Sequence, residues 1–439
     1  MQRVVLAIGL LLAALTVARV ADKAADGKGA LARWTPQLEA LAEGRDVYRR
    51  TADGTVWTGT DGSSAVEGAG EGFPGTPFTA LVLAPFARLG AVPGAVAFAL
   101  TKVALAAFVL VVALRAAFAP RPVPPWAALL VLVGVVRVWS SDLAHGNTNL
   151  LVLGVIGAAL LAWRRHMEAF SGFFVALAAT LKVTPLLLLA IPVARRSRAA
   201  LIGATAGFVV FLVAVPGGAL GMGANLRLLA SWADQMLVPF VEGRALTPLV
   251  TQHINQSLLG VLARWCTDSV AVEARPGTWD ADLSIAVVHL GERAFHGVHR
   301  ALALAIAGAS FLALRPFRDG PRRPSADLRA FAILALAMLM LSERSWKHHF
   351  VVLVLPLAHL AGVAWMETGR ARIAACVAIG VSLLVSFGSG SGVLGDRGSD
   401  LAEAYGVHLF AALVLWSACV ALQRSPSESS EPAVVPDSR

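Results

Sequence analysis

Charged side chains are scarce: they make up 15% of the 439 residues, where a water-soluble domain carries roughly 25%. Cysteine is rarer still. There are three, with Cys376 and Cys419 in apolar runs and Cys266 in a polar loop. That number and spacing exclude a disulfide framework and a CxxC metal site. No glycine-rich phosphate loop, zinc-ligand spacing or serine-nucleophile elbow occurs. No internal repeat is visible either, whereas many transporters are built from repeated halves.

What the chain has in abundance is apolar length. Hydrophobic residues make up 57% of it, in recurring runs of about 17–25, the length a helix needs to cross a bilayer. The fold class expected is therefore an all-α polytopic integral membrane protein, with one membrane domain over residues 1–423. The net charge of +9 is not a nucleic-acid signal, because the basic residues fall in small clusters between apolar runs, as cytoplasmic loops do. The first segment, VVLAIGLLLAALTVA, has the make-up of a signal peptide. No small-x-small cleavage site follows it, which favours an uncleaved first helix. The polar, proline-bearing end, 424–439, reads as a disordered cytoplasmic tail.

Basic clusters set the expected orientation. Arg3 places the start inside, and the first helix, near 4–20, leads out to a long external loop over 21–76. FTALVLAPFARLG, just after this loop, suits the membrane interface. Helices near 93–117 and 125–141 lead in and out again, to SSDLAHGNTN. LLVLGVIGAALLAW returns to Arg164 and Arg165. A full crossing at 171–194 would then put ARRSR outside. Pro185 removes a backbone donor and disfavours helix at the residue before it. Two short limbs, near 171–182 and 185–194, are therefore expected to enter and return on one side. Such a break is tolerated only where protein or water satisfies the freed backbone. The later clusters then agree, with a second external loop over 217–298. The total is about 10–12 membrane helices, counting one broken pair.

With this orientation EGRDVYRR, SSDLAHGNTN, the Lys182 elbow, QHINQSLLG and SERSWKHH all fall on the external side. Ionisable groups at membrane depth are costly and usually functional. The same pieces carry a resemblance. DVY at 46–48, HGNTNLLVL at 145–153, GFFVALAATLKVTPLLLL at 172–189, NQSLLG at 255–260 with Arg264, and SERSWKHHF at 342–350 occur in order. In this the chain resembles glycosyltransferase family 87, the polyprenol-phosphate-sugar-dependent mannosyltransferases of the GT-C superfamily. It departs at Gly146–Asn147, where the family often has Gly-Gln, and at Ser342–Glu343, where it often has Ser-Pro.

The resemblance implies a GT-C-like bundle and inverting transfer of a hexose, mannose by analogy. The donor would be a polyprenol-phosphate sugar and the acceptor an extracytoplasmic lipid or glycan. The location implied is the plasma (inner) membrane, among membrane lipids and with no nucleic acid. No cofactor or metal is implied. Such a reaction needs a base for the acceptor hydroxyl, and cations and hydrogen-bond donors for the departing phosphate. The family places the base just after the first helix, which points to Asp46; among the loop's other acids it also reads as a solvated carboxylate. Lys182 suits a lipid phosphate, or a lysine snorkelling to the interface. In SWKHH one histidine is the candidate to donate to the phosphate or position the acceptor; neighbours on a helix point about 100° apart, so the two do not share a direction, and His348 is favoured over His349. Trp346 offers a flat face for sugar or prenyl chain, or belongs to an interfacial belt. Arg344 is a second phosphate candidate, or a solvated loop charge. His145, Asn147, Asn149, Asn255 and Gln256 suit sugar hydroxyls, or cap helices. Lys102 reads as structural, Arg137 as a group facing the same cavity, and Asp280–Ala–Asp282 as a chance DxD match. The rival classes are a flippase of lipid-linked sugars and a surface-glycan ligase or polymerase.

Overall fold

The computed structural model describes residues 2–50, 57–58, 73–238, 248–315 and 323–422. Among them the only strands are the antiparallel pair Arg49–Arg50 and Trp57–Thr58. The rest of the regular structure is helical, so the protein is an all-α membrane bundle. The proposed tail, 424–439, lies outside the described residues.

The helices that matter here are α1 (Gln2–Ala25), α2 (Ala30–Ala42), α3 (Pro77–Arg88), α4 (Ala91–Phe118), α5 (Pro125–His145), α6 (Asn149–Arg164) and α7 (Glu168–Leu181). A 3-10 turn (Thr184–Leu189) and the short α8 (Ala190–Ala194) follow, then α9 (Arg198–Phe208). Among the described residues, seven helices are long and apolar enough to cross a membrane, or eight if the bent pair Ser391–Ala404 and Val407–Ala421 counts as one span. The expected count was higher because some crossings are short. At about 1.5 Å per residue, the 16 residues of α6 fall short of a bilayer core of about 30 Å. The two long loops are not bare chain either. The first contains α2, and the second contains helices at Met222–Met236 and Leu258–Cys266.

The hairpin at Lys182 settles the charge conflict in the sequence. Lys182 ends α7 in an extended conformation (φ −156°, ψ 130°) two residues before Thr184–Pro185. α9 then runs parallel to α7. Ser197 Oγ, just before α9, donates to Glu168 at the start of α7, and a Cβ on Gly203 would lie 1.9 Å from the carbonyl oxygen of Ala169. A Cβ on Gly207 would meet Phe173 and Ala176, further along α7. The chain between Leu181 and Ser197 must therefore travel back along the bundle. The basic pairs at 164–165 and 195–196 thus share one end, and Lys182 lies at the other.

Local chemistry fixes the rest. α3 starts at Thr76, whose hydroxyl accepts from Thr79 N, with proline at the first helical position. α5 ends at Gly146 in the left-handed region (φ 71°), and a Cβ there would stand 3.3 Å from Ala30 N. α2 can approach the Gly146 turn only because that residue is glycine. One apolar cluster, from Val20 to Cys419, packs the helices together.

The close α7–α9 contact yields a test. Gly203→Leu should lower stability by about 2–3 kcal/mol through overpacking. Gly218→Ala, where a Cβ meets open space, should leave it nearly unchanged. Thermal unfolding in detergent reads both.

Candidate active site

At the Lys182 end of the bundle a string of polar groups is buried between apolar helices. Lys102 of α4 and Asp142 of α5 are both fully buried, with Lys102 Nζ 3.2 Å from Asp142 Oδ2. The same ammonium donates to the carbonyls of Asp142 (3.1 Å) and Asn147 (3.0 Å). Asp142 in turn accepts from Asn149 Nδ2 at 2.9 Å. Asn149 Oδ1 then accepts from Lys182 Nζ at 2.7 Å. The string accounts for all three of the Lys102 ammonium protons but for only one of those on Lys182, which leaves Lys182 with donors to spare.

Lys182 and Asn149 line a cleft with Ser342, Ser345 and His349. Its other walls include Met338, Leu339, Val351 and Val352, and among the described residues no carboxylate lines it. His349 Nδ1 is 3.1 Å from Arg344 O and 3.2 Å from Trp346 N, so the loop backbone occupies that nitrogen. Nε2 remains for the cleft. Trp346 stacks on His349 at 6.1 Å and 12°. Its indole N–H is buried with no acceptor among the described residues. Arg344 is close enough to Lys182 for their charges to repel, and its Nε is 3.6 Å from Glu343.

The other predicted site residues divide between this cleft and its frame. His348, preferred over His349 in the sequence, is turned instead to Asn147 (Nε2 to Nδ2, 2.8 Å) and stacks on His145 at 5.1 Å. With the Asn147 amide donating, His348 Nε2 is an acceptor and is already in use. Asn255 leaves no polar atom over: Nδ2 donates to Val250 O and Glu343 O, and Oδ1 accepts from Ser257 N and Ser345 N. Gln256 donates from Nε2 to His253 O and Glu403 O, and from its backbone N to Ser345 O. These two residues hold the SERSW loop in shape. Lys102 is structural, as its sequence context suggested. Arg137 turns away from the cleft, to Ser386 O and Ser389. Asp282 accepts from Ala274 N and Asp280 pairs with Arg397, so the DxD acids serve different partners.

Asp46 is 7% exposed. Its Oδ1 accepts from Tyr48 N at 2.9 Å, and Oδ2 is buried with no partner among the described residues. It is not one of the residues lining the Lys182 cleft. A short chain of contacts ties its loop to the Lys182 elbow. Tyr48 Oη donates to Gly75 O (2.8 Å), and the hydroxyls of Thr76 and Thr79 donate to Thr180 O. Burial, and then the Asp46 carboxylate, raise the Tyr48 phenol well above its ordinary value, so it stays a donor.

The profile of glycosyltransferase family 87 matches residues 73–343. The chain belongs to glycosyltransferase family 87. The match includes the Lys102–Asp142–Asn149–Lys182 string and ends inside SERSW. A solved structure, ArnT from Cupriavidus metallidurans bound to undecaprenyl phosphate, is similar over 95% of this chain and 76% of that one. Its identity is 17% and its TM-score 0.36, too distant to align one site on the other. No protein of curated function matches the chain. As a member of the family it is a membrane glycosyltransferase.

Sequence reasoning quoted SSDLAHGNTN but passed over Asp142, although a carboxylate in an otherwise apolar helix is itself a signal. Asp142→Ala should cost about 3–5 kcal/mol, because it leaves the Lys102 ammonium buried and unpaired. A Lys102→Met, Asp142→Leu double variant should recover most of that loss in thermal unfolding.

Proposed function

We propose that this protein transfers a hexose, mannose by family analogy, from a polyprenol-phosphate donor to an extracytoplasmic lipid or glycan acceptor. The place is the outer face of the plasma (inner) membrane. One observation carries the reading. A cleft beside a broken membrane hairpin gathers Lys182, His349 and Asn149, with Arg344 near Lys182, against apolar walls and with no carboxylate among its described lining residues. That is the complement of an anionic head on a prenyl chain.

In this reading the acceptor oxygen attacks the anomeric carbon directly and inverts it, as the family resemblance implies. The carbon–phosphate oxygen bond breaks, and the phosphate departs with the bonding electrons and needs no proton. Lys182 and Arg344 neutralise it. His349 Nε2 and the Trp346 indole N–H supply hydrogen bonds to it or to the sugar. His145, Asn147 and His348 are joined to one another, by the Asn147–His348 contact and the His145–His348 stack. Asp46 takes the proton of the acceptor hydroxyl. Its Oδ2, without a partner among the described residues, supports that role, and the tie from Tyr48 through Gly75 and Thr76 to Thr180 gives a route for setting its place relative to Lys182.

The test uses purified protein in detergent with radiolabelled polyprenol-phosphate mannose and lipid extract from the source cell. Wild type should form a labelled product. Asp46→Asn should lose about 10²–10⁴-fold in kcat, the usual yield of a general base. Lys182→Ala should lose about 10²–10³-fold, as expected for one preorganised donor on a leaving oxyanion. Undiminished transfer by Asp46→Asn would move the base elsewhere, and no transfer by wild type would favour the flippase reading.

A further inference from the structure

The family match stops at residue 343, yet the cleft depends on residues 344–349. Asn255 and Gln256 hold the first part of that loop, and a residue beyond the matched region holds the next. Lys347 Nζ lies 2.5 Å from Glu403 Oε1, and the Glu403 side chain is 7% exposed. Glu403 sits at the end of the helix Ser391–Ala404, just before a sharp elbow at Gly406 (φ 84°) leading into Val407–Ala421. The two helices meet at 57°. A Cβ on Gly406 would stand 2.7 Å from Val261, so the elbow presses against Leu258–Cys266.

The elbow is held rigidly. Glu403 O accepts from Gln256 Nε2 (2.6 Å) and Arg264 Nη2 (3.3 Å), and Ala404 O accepts from Arg264 Nε (2.8 Å). Arg264 Nη1 also reaches Thr251 O and Gln252 O. His408 N donates to Gln256 Oε1 at 3.1 Å. Burial lowers the Arg264 guanidinium to about 9, against the opposing pull of Glu403, and the group remains a cation at neutral pH. The Glu403 backbone is thus a fixed point, and its carboxylate reaches from it to Lys347. The group it grips, Lys347, immediately precedes His348 and His349.

We propose that Glu403 is a positioning residue of the transferase site. By clamping Lys347 it sets the start of the 3-10 turn Lys347–Leu353, so that His349 faces the Lys182 cleft. It also keeps the Lys347 ammonium away from the donor phosphate. This deepens the proposed function and rests on it. A carboxylate that acts through Lys347 touches no reacting atom, so its loss should appear chiefly in kcat. A misplacement of about 1 Å can cost about 100-fold in rate. Freeing Lys347 also adds a third cation beside the phosphate, which should leave the donor KM unchanged or lower it.

The experiment compares full-length wild type with Glu403→Gln, Glu403→Asp, Lys347→Glu, Glu403→Lys and the Lys347→Glu, Glu403→Lys swap. Two quantities are read: transfer kinetics with polyprenol-phosphate mannose, and amide hydrogen exchange over residues 345–353. Glu403→Gln should lower kcat about 10–100-fold without raising KM, and should speed exchange in that segment. Glu403→Asp should keep part of the activity, and the swap should recover more than either of its single reversals. Wild-type kcat in a folded Glu403→Gln overturns the proposal, as does a swap no better than the single reversals. If Glu403→Gln does not fold, Lys347→Met tests the same clamp from its more exposed side, and unchanged kcat and exchange there overturn the proposal. If wild type transfers nothing, the proposed function has failed, and exchange still decides the clamp: unchanged protection in Glu403→Gln overturns it.

Discussion

The arrangement at the Lys182 end depends on one constraint: a charge taken out of water must be met by a partner. Lys102 and Asp142 are both fully buried, and each satisfies the other's charge while also holding backbone or side-chain groups of the HGNTN turn. Lys102 binds two carbonyls of the α5–α6 junction. Asp142 fixes Asn149, and Asn149 fixes Lys182. A pair that by itself adds little net stability thereby sets the position of Lys182, which keeps protons to spare among the described residues. The same economy holds on the far side of the cleft, where Asn255 and Ser257 bind the carbonyl of Glu343 and set the SERSW loop.

The break at Lys182 has both a topological and a chemical consequence. An extended residue before Thr184–Pro185 turns the chain back, which keeps both basic pairs at one end of the bundle. It also ends α7 within the apolar bundle and leaves an ammonium there, facing a cleft walled by Met338, Leu339, Val351 and Val352. Irregular backbone at membrane depth is acceptable where protein or water satisfies it. Here Thr180 O accepts from Thr76 and Thr79, and the helix end is met by protein.

The proposed reaction joins two regions that differ in character. The phosphate side is cationic and anchored to long helices. Asp46 sits in a loop after α2, tied in by Tyr48 and the Trp34–Phe73 contact at 5.6 Å. Family membership, the cation-rich cleft and the orphaned Asp46 oxygen come from separate observations. Together they support one acyclic sequence of events: attack, departure of phosphate, and loss of a proton to a carboxylate.

Much of this was legible in the sequence because it rests on local chemistry. Apolar run lengths determined the membrane class. Pro185 beside Lys182 marked the break, and basic clusters required the chain to double back there. The clustering of HGNTN, LKVTP and SERSWKHHF on one side followed from that count. What the sequence left open were contacts between residues far apart in the chain. Adjacent histidines have the same composition, and only packing turned His348 to Asn147 and left His349 to the cleft. Asn255 and Gln256 look like ligands in a string of letters, but in space their hydrogen bonds hold the neighbouring loop. Asp142 and Glu403 gave weak signals because a single carboxylate says nothing of its cation until Lys102, 40 residues away, or Lys347 is beside it. Periodicity and proline chemistry act over a few residues and are written in the sequence. Charge pairing in a low-dielectric interior acts through space, so the tertiary structure alone decided it.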